Sequence, residues 1–191
     1  MNILGKCLRS IMRLFNVAGS MFRLYSYSFA YQGFSFEKGV YIERGVRIKV
    51  TDNGRIKLCE NVSIERNSTL VAKYGTILIG SNTFIGEGSI IVANSSVSIG
   101  PDCLIAAGVT IRDQDHRLED VTIPVRQQGT FTASIYIGSD VWVGAKATIL
   151  KGVKLGDQSV VGANSVVTKD VLTRDIVGGV PSKVLKSRQE G

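Results

Sequence analysis

The sequence predicts an all-β solenoid of about six three-sided coils, because apolar residues recur at every sixth position along most of its length. Eighteen anchor positions hold Phe, Ile, Leu or Val and fall into six groups of three. The steps between successive groups contain 4, 3, 2, 20 and no extra residues, so every break follows a third hexad. Extra residues that occur only after every third hexad indicate a three-sided coil that tolerates insertions at one corner. The anchors are Phe36, Ile42, Ile48, Leu58, Ile64, Leu70, Ile79, Ile85, Ile91, Ile99, Ile105, Ile111, Ile137, Val143, Ile149, Leu155, Val161 and Val167.

A second repeated position, four residues after each anchor, is predicted to face inward where space is tight. Three of these residues do not suit a tight interior, namely Asp52, Tyr74 and Asp115, and all three belong to third hexads beside the variable corner. An ordinary sandwich of short strands is the alternative fold, but it gives no reason for a six-residue register. The predicted inward set is Val40, Val46, Val62, Ser68, Thr83, Ser89, Ser95, Cys103, Val109, Val141, Ala147, Val153, Ser159, Ser165 and Val171.

The start and end of the hexad pattern divide the chain into three segments. These are an arm over residues 1–33, the solenoid domain over 34–171, and a tail over 172–191. The 20-residue insertion corresponds to a loop over 117–136. In the tail, a turn rich in glycine and proline precedes Ser182, from which we expect a short basic helix that runs to Arg188.

The arm is predicted to form an amphipathic helix, since Leu4, Leu8, Ile11 and Phe15 recur at helical spacing. It contains four basic residues and no acidic residue. Such a helix could cap the open end of the solenoid, where strand edges and core would otherwise be exposed, or lie on an anionic membrane surface. We expect capping, with membrane contact as a second use of the same segment. The basic residues are Lys6, Arg9, Arg13 and Arg23.

Length and composition indicate one domain with extensions, and a hydrophobic content of 44% is enough for a packed core. The three cysteines lie far apart without metal-ligand spacing, which is typical of a reducing compartment. We expect neither a signal peptide nor a transmembrane helix, because basic residues interrupt the apolar start of the chain. We therefore expect a cytoplasmic protein. Only the net charge of +7 suggests nucleic acid, and four of those charges lie in the arm, so this class is discounted.

Three sequence runs, at residues 135–145, 156–170 and 179–184, together resemble the C-terminal half of hexapeptide-repeat acyltransferases. They read IYIGSDVWVGA, GDQSVVGANSVVTKD and GVPSKV. The resemblance extends over roughly residues 36–186 and is nearest to the branch that acetylates sugars, antibiotics and surface polysaccharides. It implies a left-handed parallel β-helix, a homotrimer with active sites between neighbouring prisms, and acetyl-CoA as donor, without a metal. One departure is Gly179-Val-Pro-Ser-Lys, where family members commonly read Gly-Asn-Pro-Ala-Lys.

His116 is the only histidine and directly precedes the predicted loop. In the family that the chain resembles, a histidine at the start of such a loop is the general base for the acceptor hydroxyl or amine. Imidazole suits this task because it can accept a proton near neutral pH and then release it to the departing thiolate. Asp113, Asp115 and Glu87 are the candidate carboxylates that could orient the imidazole or raise its basicity.

The resemblance also assigns positions that contact CoA. Trp142 is the only tryptophan and precedes an inward anchor, so strand alternation turns it outward. It could form a trimer contact or a wall of the CoA channel, and the resemblance favours the channel. The other positions that match CoA contacts are Ala145, Ala163, Thr168, Lys169, Lys183 and Lys186, of which the last two match basic residues that meet its phosphates.

These observations predict an acetyl-CoA-dependent O-acetyltransferase that acts on a sugar hydroxyl of a surface polysaccharide, a glycolipid or a precursor. N-acetylation of a nucleotide-linked amino sugar by the same base is the alternative activity. A zinc-dependent hydratase of the carbonic-anhydrase type shares this fold, but it needs three histidines. A non-catalytic β-helical scaffold is a further alternative, although it would need neither His116 nor the CoA-like C-terminal motif.

Overall fold

The computed structural model describes residues 3–189, with side chains from residue 14 onward. A left-handed parallel β-helix of six complete coils follows one N-terminal helix, as predicted, and each coil contributes one strand to each of three sheets. The first sheet contains β1 (Phe34–Phe36), β4 (Arg55–Leu58), β7 (Thr76–Ile79), β10 (Ser96–Ile99), β15 (Ile135–Ile137) and β18 (Lys154–Leu155).

The other two sheets complete the triangular cross-section. The second sheet contains β2 (Tyr41–Ile42), β5 (Ser63–Ile64), β8 (Phe84–Ile85), β11 (Leu104–Ile105), β16 (Trp142–Val143), β19 (Val160–Val161), β21 (Asp175–Gly178) and β22 (Lys183–Ser187). The third sheet contains β3 (Arg47–Thr51), β6 (Thr69–Lys73), β9 (Ile90–Ala93), β12 (Thr110–Arg112), β17 (Thr148–Ile149) and β20 (Val166–Val167).

The anchors form the core of the prism. They stack directly on one another, as in the parallel pairs Ile42 with Ile64 and Ile64 with Ile85. Seventeen of the eighteen are buried, and only Phe36, on the first coil, is partly exposed. The six-residue register is therefore the register of the core, as predicted, because each coil covers the apolar face of its neighbour.

The second inward positions are also buried in the predicted way, with one exception. Several of their hydroxyl groups donate to corner carbonyls of the next coil, for example Thr83 Oγ1 to Gly100 O at 2.8 Å. This pairing explains why polar residues are tolerated there, since a buried hydroxyl needs a partner. Ser95 is the exception: it is exposed at the corner between the third and first sheets, and its Oγ lies 3.1 Å from Ser134 Oγ. The two extra residues at that corner turn it outward.

The arm caps the open end of the prism through helix α1 (Ile3–Ala30). Leu24 is fully buried, and Ser20 Oγ accepts a hydrogen bond of 2.8 Å from Ile42 N. Arg23 Nη2 donates to Ile42 O at 2.7 Å, and Tyr27 Oη donates to Val46 O at 2.8 Å. These side chains form hydrogen bonds with backbone groups of the first coil that a preceding coil would otherwise bind. The expected capping is therefore confirmed.

The predicted apolar and basic positions Leu4, Lys6, Leu8, Arg9, Ile11 and Arg13 lie outside the residues whose side chains are described. Among the described residues, no helix has the length and hydropathy that a membrane span requires.

The predicted C-terminal helix from Ser182 to Arg188 is wrong. Residues 183–187 form strand β22, which pairs in the antiparallel direction with β21 at the last edge of the second sheet. A turn over 179–182 reverses the chain and brings β22 beside that edge. Edge pairing satisfies backbone groups that a detached helix would leave to water, which explains why the sheet overrides the local helical preference.

The long insertion begins as a β-hairpin. Strand β13 (Gln114–His116) pairs in the antiparallel direction with β14 (Thr130–Thr132), so that His116 lies opposite Thr130. The segment between them contains a short 3-10 helix, Val125–Gln127. The hairpin projects from the corner that follows the third sheet on the fourth coil, and this corner is the insertion site that the spacing of the anchors predicts.

Candidate active site

His116 stands at the end of β13, exposed beside an open cleft of about 530 Å³. A short hairpin holds it away from the flat face of the prism, so the imidazole can meet a ligand. The residues that line the cleft are Asp115, His116, Arg117, Leu118, Glu119, Phe131 and Lys151. The cleft therefore combines an imidazole that can accept a proton with charged groups of both signs and two apolar walls.

Asp115 and Lys151 join the hairpin to the prism below the cleft. Lys151 Nζ donates to Asp115 Oδ2 at 2.5 Å, and the lysine side chain is only 26% exposed. The same ammonium group lies 5.7 Å from the centre of the Phe131 ring, while the Arg117 guanidinium lies 6.0 Å from it. Such cation–π contacts and the ion pair fix the base of the hairpin, and thereby the position of His116.

Asp113 has a structural role at the root of the hairpin. It is fully buried, and its two carboxylate oxygens accept hydrogen bonds from Asn94 N at 2.8 Å and Ser95 N at 2.6 Å. A carboxylate that accepts two backbone N–H bonds is well satisfied. Asp113 therefore stabilises the corner on which the hairpin is built, and neither of these hydrogen bonds involves His116.

Glu87 does not join the cleft within one chain. It lies at the corner between the second and third sheets, whereas His116 lies at the corner between the third and first sheets. Its carboxylate pairs with Arg66 at 3.1 Å. Of the three predicted carboxylates, only Asp115 is brought to the side of His116.

The predicted CoA positions fall on two different edges of the prism. Trp142 is 53% exposed on the outer face of the second sheet, as predicted. The strands that follow place Val160, Ile176 and Lys186 in register with Trp142. One outward column therefore contains an indole, two aliphatic side chains and an ammonium group. Trp142 and Lys186 are three strands apart, or about 14 Å. This column has the chemistry that an adenine ring, an aliphatic chain and a phosphate would require.

Ala145 and Ala163 lie beside this column, at the corner between the second and third sheets. Ala163 is exposed, and a Cβ atom added at Gly144 would lie 2.6 Å from Ala163 N. The corner thus presents closely stacked backbone with very small side chains, which leaves room for a narrow ligand. Lys183, on β22, pairs with Gly178 and is exposed on the same sheet.

Thr168 and Lys169 lie at the opposite corner, after the third sheet and above the His116 hairpin. The third sheet separates this corner from that of Ala145 and Ala163 by roughly 15 Å, at about 3.3 Å per residue. One chain therefore presents His116, Thr168 and Lys169 on one edge, and the Trp142 column with both alanines on another.

Sequence reasoning missed Lys151 and Phe131. Lys151 follows its anchor Ile149 by two residues, as Asp113 follows Ile111, so the register alone places it one coil above the root of the insertion. That signal was available in the spacing. Phe131 has no comparable signal, because its place depends on how the hairpin folds back.

Neither described cysteine offers an acyl-accepting thiolate. Cys103 is fully buried, and burial raises the pKa of its thiol to about 11. Cys59 is partly buried, and burial likewise raises the pKa of its thiol. Within residues 3–189, no group of three or more His, Cys, Asp and Glu side chains could hold a metal ion.

Comparison with known proteins agrees with this architecture. The family model "Bacterial transferase hexapeptide (six repeats)" matches residues 134–169, and the model "Hexapeptide repeat of succinyl-transferase" matches residues 76–112. These two matches support a hexapeptide-repeat acyltransferase. The two matched ranges include Trp142 and Val160 of the outward column, and the third and fourth coils that lead to the hairpin.

Curated acetyltransferases resemble the chain over part of its length. A probable acetyltransferase of Mycobacterium tuberculosis is 32% identical over 151 residues, which cover 78% of this chain and 50% of that protein. The galactoside O-acetyltransferase of Escherichia coli K12 is 37% identical over 115 residues, or 59% of this chain and 55% of that protein. The chain thus spans about half the length of these curated relatives.

A solved structure shows the same fold with ligands. It is a variant of AntD, an N-acyltransferase from Bacillus cereus, in complex with dTDP and coenzyme A. It superposes on this chain with a TM-score of 0.72 at 25% identity, and the match covers 83% of this chain and 86% of that one.

Proposed function

We propose that the protein is an acetyl-CoA-dependent O-acetyltransferase whose acceptor is a sugar hydroxyl of a surface polysaccharide, a glycolipid or a precursor. The observation that carries the proposal is His116, exposed on a braced hairpin at the mouth of an open cleft. The similarity to galactoside O-acetyltransferase supports a sugar acceptor. Coenzyme A in the related N-acyltransferase structure supports an acyl-CoA donor.

The proposed reaction is direct transfer between two bound substrates. His116 removes the proton from the acceptor hydroxyl as its oxygen attacks the thioester carbonyl carbon. The new C–O bond forms, the C–S bond breaks, and the imidazolium returns the proton to the departing CoA thiolate. Histidine therefore ends unchanged, and no covalent acyl-enzyme is required, which agrees with the protonated thiol of Cys103.

The proposed assembly is a homotrimer, with each active site between neighbouring prisms. The His116 edge and the Trp142 column lie on different edges of one chain, so a cyclic arrangement would bring one edge of each kind together. The loop supports this assembly, because Leu118 and Val121 are 67% and 95% exposed. The proposed location is the cytoplasm, with the arm of residues 1–33 against the inner face of the membrane.

N-acylation of a nucleotide-linked amino sugar is the second candidate. It is favoured by one observation, the likeness to an N-acyltransferase in complex with dTDP. The same base and donor would serve both reactions, and only the attacking atom differs. Incubation with labelled acetyl-CoA and a panel of sugar, glycolipid and nucleotide-sugar acceptors, followed by mass spectrometry, separates an ester product from an amide product.

The variant His116→Ala tests the chemistry. We expect turnover to fall by about 10²–10⁴-fold, because the general base is lost while the prism that binds CoA is untouched. Arg126→Ala, an exposed change in the same insertion, is the matched control and should retain wild-type turnover. Wild-type-like turnover in a folded His116→Ala protein that still binds CoA would rule out this role.

A further inference from the structure

Helix α1 has an apolar face for which the prism provides no partner. Phe15, Phe22 and Phe29 are 71%, 75% and 95% exposed. They are seven residues apart, which places them on one side of the helix. The exposed apolar residues of this face are Leu14, Phe15, Phe22 and Phe29. Met21 and Tyr25 lie at its edge, where the Tyr25 ring packs edge-on against Phe36 of the first coil.

Capping does not explain this apolar face, because capping uses the other side of the helix. Ser20, Leu24 and Tyr27 contact the first coil, and their helical positions are roughly opposite to those of the three phenylalanines. A helix that only closed the prism would need one apolar side. α1 has a second one, which points away from the core.

The net charge of the protein is concentrated at the same end of the prism. Residues 1–33 contain four basic residues and no acidic one, and residues 34–75 contain eight basic and five acidic residues. Residues 76–191 contain eleven of each and are therefore neutral. The whole excess of +7 belongs to the arm and the first two coils.

Two of the three acidic side chains of the first coil are already engaged, which leaves a surplus of basic groups on it. Glu37 forms an ion pair with Lys57 at 2.8 Å, and Glu43 Oε2 accepts a hydrogen bond of 3.2 Å from Arg66 N. Arg47 and Lys49 are exposed on the outer face of β3, and Arg44 is exposed at the neighbouring corner. Within the described part of the chain, none of these three has an ion-pair partner, so they form a basic rim around the cap.

We infer that the apolar face of α1 and the basic rim together bind an anionic lipid bilayer, with the first coil towards the membrane. An interfacial helix inserts its apolar side to the depth of the headgroups, and nearby basic residues add attraction to anionic lipids. A second copy of the same surface is a poorer partner, because two positively charged rims would repel each other. The inference extends the proposed location of the arm and does not depend on the acetyl-transfer chemistry.

Vesicle binding tests the inference with the full-length protein. We expect co-sedimentation with vesicles that contain phosphatidylglycerol, weak binding to phosphatidylcholine alone, and loss of most binding at high salt. We expect the loss at high salt because salt screens the charge attraction to the anionic lipid but does not screen the apolar contact. Absence of binding, or equal binding to both vesicles at all salt concentrations, would overturn the proposal.

Matched variants distinguish the two contributions. Phe22→Ser/Phe29→Ser should abolish co-sedimentation without unfolding the protein, since both side chains are exposed. Leu172→Ser, an equally exposed apolar change beyond the last full coil, should not alter binding. Lys49→Ser should weaken binding to anionic vesicles roughly threefold to tenfold, whereas Lys154→Ser, an exposed lysine on the sixth coil, should not. Equal losses in variant and control would contradict the inference.

Two further measurements test how the protein is oriented on the bilayer and whether a second copy of the chain covers the apolar face instead. In a Trp142→Phe background, Phe22→Trp fluorescence should be quenched by brominated lipids, whereas Leu172→Trp fluorescence should not. Light scattering without lipid should give the same mass for wild type and for Phe22→Ser/Phe29→Ser. A lower mass for the double variant would assign the apolar face to a contact between copies and overturn the lipid assignment.

Discussion

Asp113 and Asp115 are two residues apart, yet they lie in opposite environments. Asp113 is fully buried and holds two backbone N–H groups, whereas Asp115 is 46% exposed and pairs with Lys151. The difference arises because Asp113 takes an inward position that Ala72 and Ala93 occupy on earlier coils. One carboxylate therefore supports the fold and the other supports the site.

The variant Asp113→Asn measures the structural role. Asparagine keeps the shape but loses the charge and one acceptor, so we expect a loss of about 1.5–3 kcal/mol in the free energy of unfolding. Urea unfolding at a fixed protein concentration gives the shift. Asp115→Asn is the control, and it should cost at most about 1 kcal/mol because an exposed ion pair contributes little. Similar shifts for both variants would contradict the distinction.

The position of His116 could be predicted because it depends only on where the hexad register breaks. Its surroundings could be predicted only in part. The register brings Lys151 to the root of the insertion, but the approach of Phe131 depends on hairpin pairing between residues 114–116 and 130–132, which no local pattern encodes. Glu87 lies one coil earlier in sequence but at another corner of the triangle, so within one chain it does not reach His116.

Among the elements, α1 acts as a substitute coil. It supplies a hydroxyl oxygen to Ile42 N, a guanidinium to Ile42 O and a phenol to Val46 O. A helix with these side chains satisfies a strand edge without extending the sheet, which is one way to protect an edge from further pairing. Amphipathic spacing predicted the helix, but which of its sides meets the prism depended on tertiary contacts.

The variant Ser20→Ala tests the cap. It leaves the buried N–H of Ile42 without a partner, so we expect a loss of about 1–3 kcal/mol in the free energy of unfolding. Ser26→Ala is the matched control, because Ser26 is exposed and its hydroxyl only donates to Phe22 O within the helix. The control should change stability by no more than about 0.5 kcal/mol. Equal urea midpoints for wild type and Ser20→Ala would show that this bond does not hold the cap.

The C-terminal tail shows the limit of local signals for an element. The basic run around Lys183 and Lys186 satisfies the rules for a short helix, but the free edge of β21 provides a competing set of hydrogen bonds. The outcome is favourable for the site, since β22 extends the outward column of Trp142 by one more strand. Local helical preference predicts the tail poorly because it does not account for the strand edge that β21 offers across the turn.

At the scale of the whole molecule, the proposed active site is divided between two edges that one chain cannot bring together. The third sheet keeps His116 roughly 15 Å from the corner of Ala163. A cyclic trimer resolves this separation, because the His116 edge of one prism can face the Ala163 corner of its neighbour. We expect light scattering to give three times the chain mass of 20.6 kDa.

Subunit complementation tests the divided site. His116→Ala should lack the base, and Ala163→Trp should block CoA by filling the channel, so each homotrimer should be inactive. When the two chains are co-expressed, an interface that takes His116 from one chain and Ala163 from the other is intact. Random assembly makes about a quarter of the interfaces intact, so about a quarter of the wild-type rate should return. Two affinity tags would verify that both chains share a trimer. Inactive mixed trimers would mean that His116 and the CoA face belong to the same chain's site, because only then does every site carry a defect.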